Sequence, residues 1–203
     1  MLRILLLSAL AATGIAFSPI IAHAPLTSSL LSASSSPAAA VTMAEEVKVG
    51  DKIPSVILKE GQPDYGTPKD VNISDLIAGK KVAIFAVPGA FTPGCSKSHL
   101  PSFITAQDEL KAKGVELTIC IATNDAYVME AWGRTSGGAD AGIIFLSDSN
   151  AELSRALGLS IEGGILVRTK RFSLIAEDGV VSHYFSSAKE SSDTWAPNVL
   201  AAL

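Results

Sequence analysis

The chain is poor in most of the residues that announce a chemistry. It has two cysteines in 203 residues, Cys95 and Cys120, and they form no CxxC pair. That excludes a disulfide-rich scaffold and disfavours a dithiol oxidoreductase. It has three histidines, His23, His99 and His183. With so few histidines and cysteines a structural zinc site is not expected. No lysine or arginine run occurs, so nothing points to nucleic acid. There is no Walker loop, no GxGxxG and no GxSxG, so nucleotide binding and a serine-hydrolase elbow lose their usual support. Aromatics are 6% and charged residues 18% of the chain, against 48% hydrophobic residues.

Charge is missing above all from the first 44 residues, where Arg3 is the only charged side chain. All 20 acids and 15 of the 16 Lys and Arg lie beyond them. The run from Ile4 to Phe17 has the length of a signal-peptide core and is short for a membrane span. A Ser/Ala/Thr-rich stretch without acids follows, as in a transit peptide. Residues 1–44 are therefore expected to be a two-part targeting leader. Its "GIAFSP" junction resembles leaders addressed to plastids bounded by extra membranes. Secretion, a mitochondrial address, and a membrane anchor on a flexible stalk are the alternatives. Residues 45–203 are enough for one domain with a core of its own.

Within that domain, short extended pieces and a helical turn around Ser74–Ala78 come first. "KVAIFAV" (81–87) is a continuous apolar run, as expected for a strand buried on both faces. A helix is expected from about Pro93 to Lys113, kinked at Pro101. A second core strand, "VELTICIAT", spans 115–123. On it Val115, Leu117, Ile119 and Ile121 should share one face, with Cys120 on the other. A helix capped by Asn124 or Asp125 follows. Then come a strand "AGIIFLSD" and a helix capped by Asn150 or Ser149. "KRFSLIAEDGVVSHYF" reads as a hairpin turning at Asp178-Gly179. A last helix opens on "APN". The fold class is α/β, with a mixed central sheet flanked by helices and a C-terminal hairpin and helix.

The stretch "VPGAFTPGCSKSHLPSF" places Cys95 in the first turn of a helix, behind Pro88 and Pro93. Unpaired N–H groups and the helix dipole favour an anion there, and the thiolate is the nucleophilic form of cysteine. Thr92, three residues earlier, is within hydrogen-bonding range along the chain. An inert, buried cysteine is the plain alternative. A cysteine hydrolase would need a base and a partner orienting it. The only near candidate is His99, four residues on and on the same helical face. A structural hydrogen bond is the simpler role for His99, and Trp132 reads as core or subunit contact.

Pro88, Thr92 and Cys95 match the pattern Pro-x-x-x-Thr-x-x-Cys, which resembles the active-site motif of peroxiredoxins. The longer run resembles the type II, or peroxiredoxin-5-like, group. So do "TNDAYVMEAWG" (123–133), "RALGL" (155–159) and "RFSLIAEDG" (171–179). The similarity covers nearly all of 45–203, in order, and implies a thioredoxin-like fold.

The resemblance further implies a thiol peroxidase for hydrogen peroxide and alkyl hydroperoxides, with neither metal nor cofactor. Cys95 would be the peroxidatic cysteine, becoming a sulfenic acid. Thr92 would hydrogen-bond the thiolate and the peroxide. Arg171 would stabilise both electrostatically. Pro88 would shield the sulfur. The N–H groups of Gly94 and Cys95 would help hold the peroxide. Without the resemblance, Arg171 would read as a surface ion-pair residue, and Arg168 and Lys170 would compete for its role.

Cys120 stands where plant-type members of the group carry a resolving cysteine. It would attack the Cys95 sulfenic acid, after the Cys95 helix partly unwinds, and form a disulfide. Its plain role is a small core residue. Some members carry a resolving cysteine near the C-terminal "APN" instead. Here that segment, "SSDTWAPNVL", has none. Glutathione with glutaredoxin, or thioredoxin, would close the cycle. A homodimer through the face near the active site is implied, and no stable membrane association. A redox relay passing oxidation from Cys95 to partner thiols is the alternative function.

Overall fold

The computed structural model describes residues 44–203, so the expected leader, but for its last residue Ala44, lies outside the described residues. The described chain runs through β1 (Ile57–Glu60), β2 (Lys69–Asn72), α1 (Ile73–Ile77) and β3 (Lys81–Ala86). A π-helical turn at Cys95–His99 leads into α2 (Leu100–Thr105) and α3 (Gln107–Ala112). Then come β4 (Leu117–Ala122), α4 (Ala126–Thr135), β5 (Ile143–Ser147) and α5 (Glu152–Ala156). A small ribbon, β6 (Ser160–Ile161) with β7 (Arg168–Thr169), precedes the hairpin of β8 (Phe172–Glu177) and β9 (Val180–Ser186). A 3-10 turn at Ser191–Thr194 and α6 (Ala196–Ala202) finish the chain.

Seven strands form one mixed sheet in the order β2-β1-β5-β4-β3-β8-β9. β3, β4 and β5 run parallel, while β1 and β8 pair antiparallel to the central three. Helical crossovers cover both faces, which is why the central strands read as unbroken apolar runs. Phe85, Cys120, Phe103, Trp132 and Phe145 pack on one face. Ile84, Ile119, Ile121, Leu146, Ile73 and Leu153 pack on the other. Asp178 and Gly179 both take positive φ, 48° and 76°, the two left-handed residues that a tight hairpin needs.

Three local expectations are corrected. The helix expected over 93–113 is not a single kinked α-helix. Pro101 has no N–H to give, and its ring crowds the carbonyl four residues back. The turn before it widens, with Leu100 N–H reaching back to Cys95 O, and the helix breaks again at Ala106. Neither Asn150 nor Ser149 caps α5. The buried Asp148 carboxylate does so, accepting from Leu153 N and Ser154 N at 3.1 and 2.8 Å. Burial raises the pKa of that carboxyl, and these N–H donors and the Ser154 hydroxyl oppose the rise. Val115 packs on the same face as Cys120, because it precedes β4 and is held by Leu110 O in the turn after α3. Asp125 caps α4 as expected, accepting from Val128 N at 2.9 Å.

Candidate active site

Strand register brings the site together. Phe85 of β3 lies opposite Cys120 of β4 on one side and Ser173 of β8 on the other. These three side chains therefore form one row on one face of the sheet. The π-turn and α2 pack over that row. His99 meets the Phe85 ring at 5.1 Å and the Phe103 ring at 5.6 Å, both edge-on. β8 begins opposite the end of β3, since Ala86 pairs with Phe172. Arg171, one residue ahead of β8, thus reaches the loop that carries Cys95.

The Cys95 thiol is buried. Arg171 Nη2 donates to its Sγ at 3.1 Å, while Nη1 donates to His99 Nδ1 at 2.9 Å. With Nδ1 accepting, the His99 proton belongs on Nε2, which donates to Thr194 O at 3.0 Å. Ser173 Oγ donates to the same carbonyl at 2.6 Å. Burial, and then the Arg171 charge, push the His99 pKa down to about 3. His99 is a neutral acceptor that orients the guanidinium. It is not a base for Cys95, and the structural role expected for it is the one its contacts describe.

Each neighbouring cation has its own place. Arg168 Nη1 donates to Pro88 O at 2.7 Å. Lys170 Nζ pairs with Glu46 Oε2 at 2.8 Å, and Tyr184 OH donates to Glu46 Oε1 at 2.7 Å. These bonds, Lys170 first, lower the Glu46 pKa. Arg171 alone of the three reaches the sulfur, and among the described residues it makes no ion pair.

The Cys95 loop is braced from several sides. Phe91 takes a φ of 59°, a left-handed strain of about 1–3 kcal/mol for such a residue. Ala90 N donates to Asn124 Oδ1 at 2.8 Å. Thr92 Oγ1 donates to Gly89 O at 2.8 Å. With its proton on Gly89, the Thr92 hydroxyl keeps its oxygen free as an acceptor. The first intrahelical bond is Ser96 N to Thr92 O, so the Gly94 and Cys95 N–H groups precede any intrahelical partner. Trp132 is buried in the core as expected, but its Nε1 also donates to Ser96 Oγ at 3.1 Å, beside Cys95. A cavity of about 420 Å³ beside Arg171 is lined by Pro88, Arg171, Lys170, Glu46 and Ile161 among others.

Cys120 is a free, fully buried thiol in the same core face as Cys95. Burial raises its pKa well above the usual range, and the charge of Cys95 raises it further. In this arrangement it is held as a neutral thiol. Among the described residues no group of three or more His, Cys, Asp or Glu stands where it could hold a metal ion. No described helix is long and apolar enough to cross a membrane.

The redoxin family matches residues 48–202. Peroxiredoxin-2E-2, chloroplastic, from Oryza sativa subsp. japonica is 47% identical over 147 residues, which is 70% of this chain and 65% of the rice protein. The chain thus spans just under two thirds of that relative's length. Reduced Prx3 in complex with H2O2 from Vibrio vulnificus superposes with a TM-score of 0.71 at 38% identity, covering 77% of this chain and 98% of that one. Peroxiredoxin 5 from Alvinella pompejana gives 0.67 at 31% identity, covering 77% and 97%. The chain belongs to the type II peroxiredoxins. The thioredoxin-like fold expected from the motif follows with it.

The motifs of this peroxiredoxin named Cys95, Thr92, Pro88 and Arg171, and the structure brings the Arg171 guanidinium onto the Cys95 sulfur. They missed the groups that hold them: Asn124 on the loop, Ser173 and the Thr194 carbonyl behind His99, and Arg168 on Pro88 O. Asn124 was visible only as a helix-cap candidate. The Thr194 contact is made by backbone, which carries no side-chain signal at all.

Proposed function

We propose that this peroxiredoxin is a thiol-dependent peroxidase in which Cys95 reduces hydrogen peroxide and alkyl hydroperoxides. The contact that carries the reading is Arg171 Nη2 on a buried sulfur at 3.1 Å, with the same guanidinium held by a neutral histidine. The anionic sulfur attacks one peroxide oxygen and the O–O bond breaks. Sulfur gives up two electrons and becomes a sulfenic acid, and the departing alkoxide or hydroxide takes a proton. Charge moves from sulfur to the leaving oxygen, and fixed donors in a dry site stabilise that movement without reorganising. Arg171 is one such donor. The N–H groups of Gly94 and Cys95 are the others, and Thr92 Oγ accepts the peroxide hydrogen. Pro88 keeps bulk water from the sulfur.

Cys120 then resolves the sulfenic acid, giving a disulfide and water. Glutathione with glutaredoxin, or thioredoxin, supplies the two electrons that restore both thiols. Cys120 lies in the same buried core cluster as Cys95, which supports the pairing. Its raised pKa means that it becomes a competent nucleophile only when the Cys95 turn opens and water reaches it. A homodimer through the site face is supported by the exposed apolar side chains Phe91, Ile161, Ile165 and Leu166 around the mouth. The leader composition and the chloroplastic relative support a plastid location, with residues 1–44 removed from the working domain.

Reduced protein mixed with one equivalent of hydrogen peroxide, followed by mass spectrometry, tests the reading. Rapid oxidation at Cys95 and then a Cys95–Cys120 disulfide are expected. Slow or absent oxidation at Cys95 would overturn the peroxidase assignment.

A further inference from the structure

The C-terminal segment is fastened to the active-site helix at two points. Thr194 O accepts from His99 Nε2 at 3.0 Å. Two residues later, Ala196 N donates to Ser102 Oγ at 3.1 Å, and that hydroxyl donates its own proton to His99 O at 2.6 Å. Ser102 is thus a bridge. It takes the first N–H of α6, a group no intrahelical carbonyl can satisfy. It hands its hydrogen to the backbone of the π-turn that ends at His99. Ala196 and Thr194 are buried, so water does not substitute readily if the hydroxyl is lost.

We propose that Ser102 is a positioning residue that ties the Cys95 helix to α6 and so sets how often that helix opens. This rests on the reading that Cys120 resolves Cys95. Opening has two competing outcomes for the oxidised enzyme. If the turn opens, the Cys120 sulfur attacks the Cys95 sulfenic sulfur. An S–S bond forms, the S–O bond breaks, and hydroxide leaves as water. If it stays closed, the sulfenate attacks a second peroxide. That O–O bond breaks, sulfur is oxidised by two more electrons to the sulfinic acid, and hydroxide or alkoxide departs. A tighter strap favours the second outcome at high peroxide. The strap acts after the first oxidation, since Ser102 touches neither Cys95 nor Arg171 by any hydrogen bond of its own.

The test compares wild type with Ser102→Ala, Ser102→Thr and Thr105→Ala. Thr105 sits one turn of the same helix further on, and its hydroxyl bonds only to Pro101 O within that helix. Two readouts are taken. Amide exchange at Leu100, whose N–H closes the π-turn on Cys95 O, reports opening without involving Cys120. Mass spectrometry after peroxide reports disulfide against sulfinic acid.

Ser102→Ala should exchange at Leu100 and form the disulfide about two- to tenfold faster, the range for one lost hydrogen bond. It should accumulate less sulfinic acid, with the first oxidation of Cys95 unchanged. Ser102→Thr, which keeps the hydroxyl, and Thr105→Ala should both behave as wild type. Unchanged exchange in Ser102→Ala overturns the proposal, as does equal acceleration by Thr105→Ala. Faster exchange with no disulfide in any variant upholds the strap and overturns the role of Cys120.

Discussion

Arg171 and His99 share a hydrogen bond of 2.9 Å in which the arginine donates and the histidine accepts. The bond fixes the direction of the second guanidinium nitrogen, which points at Cys95 Sγ. A planar fork held by one prong aims the other, and a lysine ammonium offers no such geometry.

Arg171→Ala should therefore slow the reaction of Cys95 with peroxide by about a hundredfold or more, the usual cost of removing a donor aimed at developing charge. Arg171→Lys should recover only part of that rate. Stopped-flow oxidation of the reduced protein measures both, and far-UV circular dichroism should show an intact fold.

Acid stability should carry the mark of His99. Its pKa is about 3 in the folded protein against an ordinary 6.5. Below pH 6.5 the unfolded chain takes up a proton that the folded chain refuses. Stability is therefore lost as pH falls from about 6.5 towards 3, by about 1.4 kcal/mol per pH unit from this group. Above 6.5 the group contributes no slope. Denaturant melts of His99→Gln and wild type across this range should differ by that slope.

Cys120→Ser should abolish the intramolecular disulfide and leave the first oxidation of Cys95 unchanged. Peptide mapping after one equivalent of peroxide should find the Cys95 sulfenic acid, trappable by dimedone, in place of a cross-linked peptide pair. Turnover with glutathione and glutaredoxin that is unaffected by the substitution would mean that Cys120 is not needed as resolver.

Gly158 anchors the N-terminal arm. It takes a φ of +67°, and a Cβ there would lie 2.6 Å from Ala44 O and 2.5 Å from Glu45 O. Gly158→Ala should cost roughly 2 kcal/mol, through backbone strain and a displaced arm. A lower denaturant midpoint is the expected result. Because Glu46 leaves the cavity wall with the arm, Lys170 should become more reactive to amine labelling.

The short motif around Cys95 was legible because its chemistry is local. A Pro-Gly turn, a helix start and a cysteine are all set within ten residues. The buried strands were legible too, since burial on both sides leaves a continuous apolar run at 81–87, and 115–123 alternates around an Ile-rich face. The π-turn was not. Pro101 announced a disturbance, but whether a helix kinks, breaks or widens depends on what must pack beneath it, here Phe85 and Phe103 against His99. The α5 cap went unseen because Asp148 sits at the end of a strand, where it looked like part of β5's exit.

The amino-acid sequence by itself determined the order of the main strands and helices, the buried strands, the hairpin turn and the place of Cys95 at a helix start, because each depends on neighbours along the chain. Tertiary structure put the Arg171 guanidinium, which the family motif had singled out, on the sulfur, and sent Arg168 to Pro88 O and Lys170 to Glu46. It also made His99 a neutral support and put Cys120 and Ser173 in one row with Phe85. Those outcomes depend on strand register and on burial. Both are settled only when residues tens of positions apart come to share one dry face of the sheet.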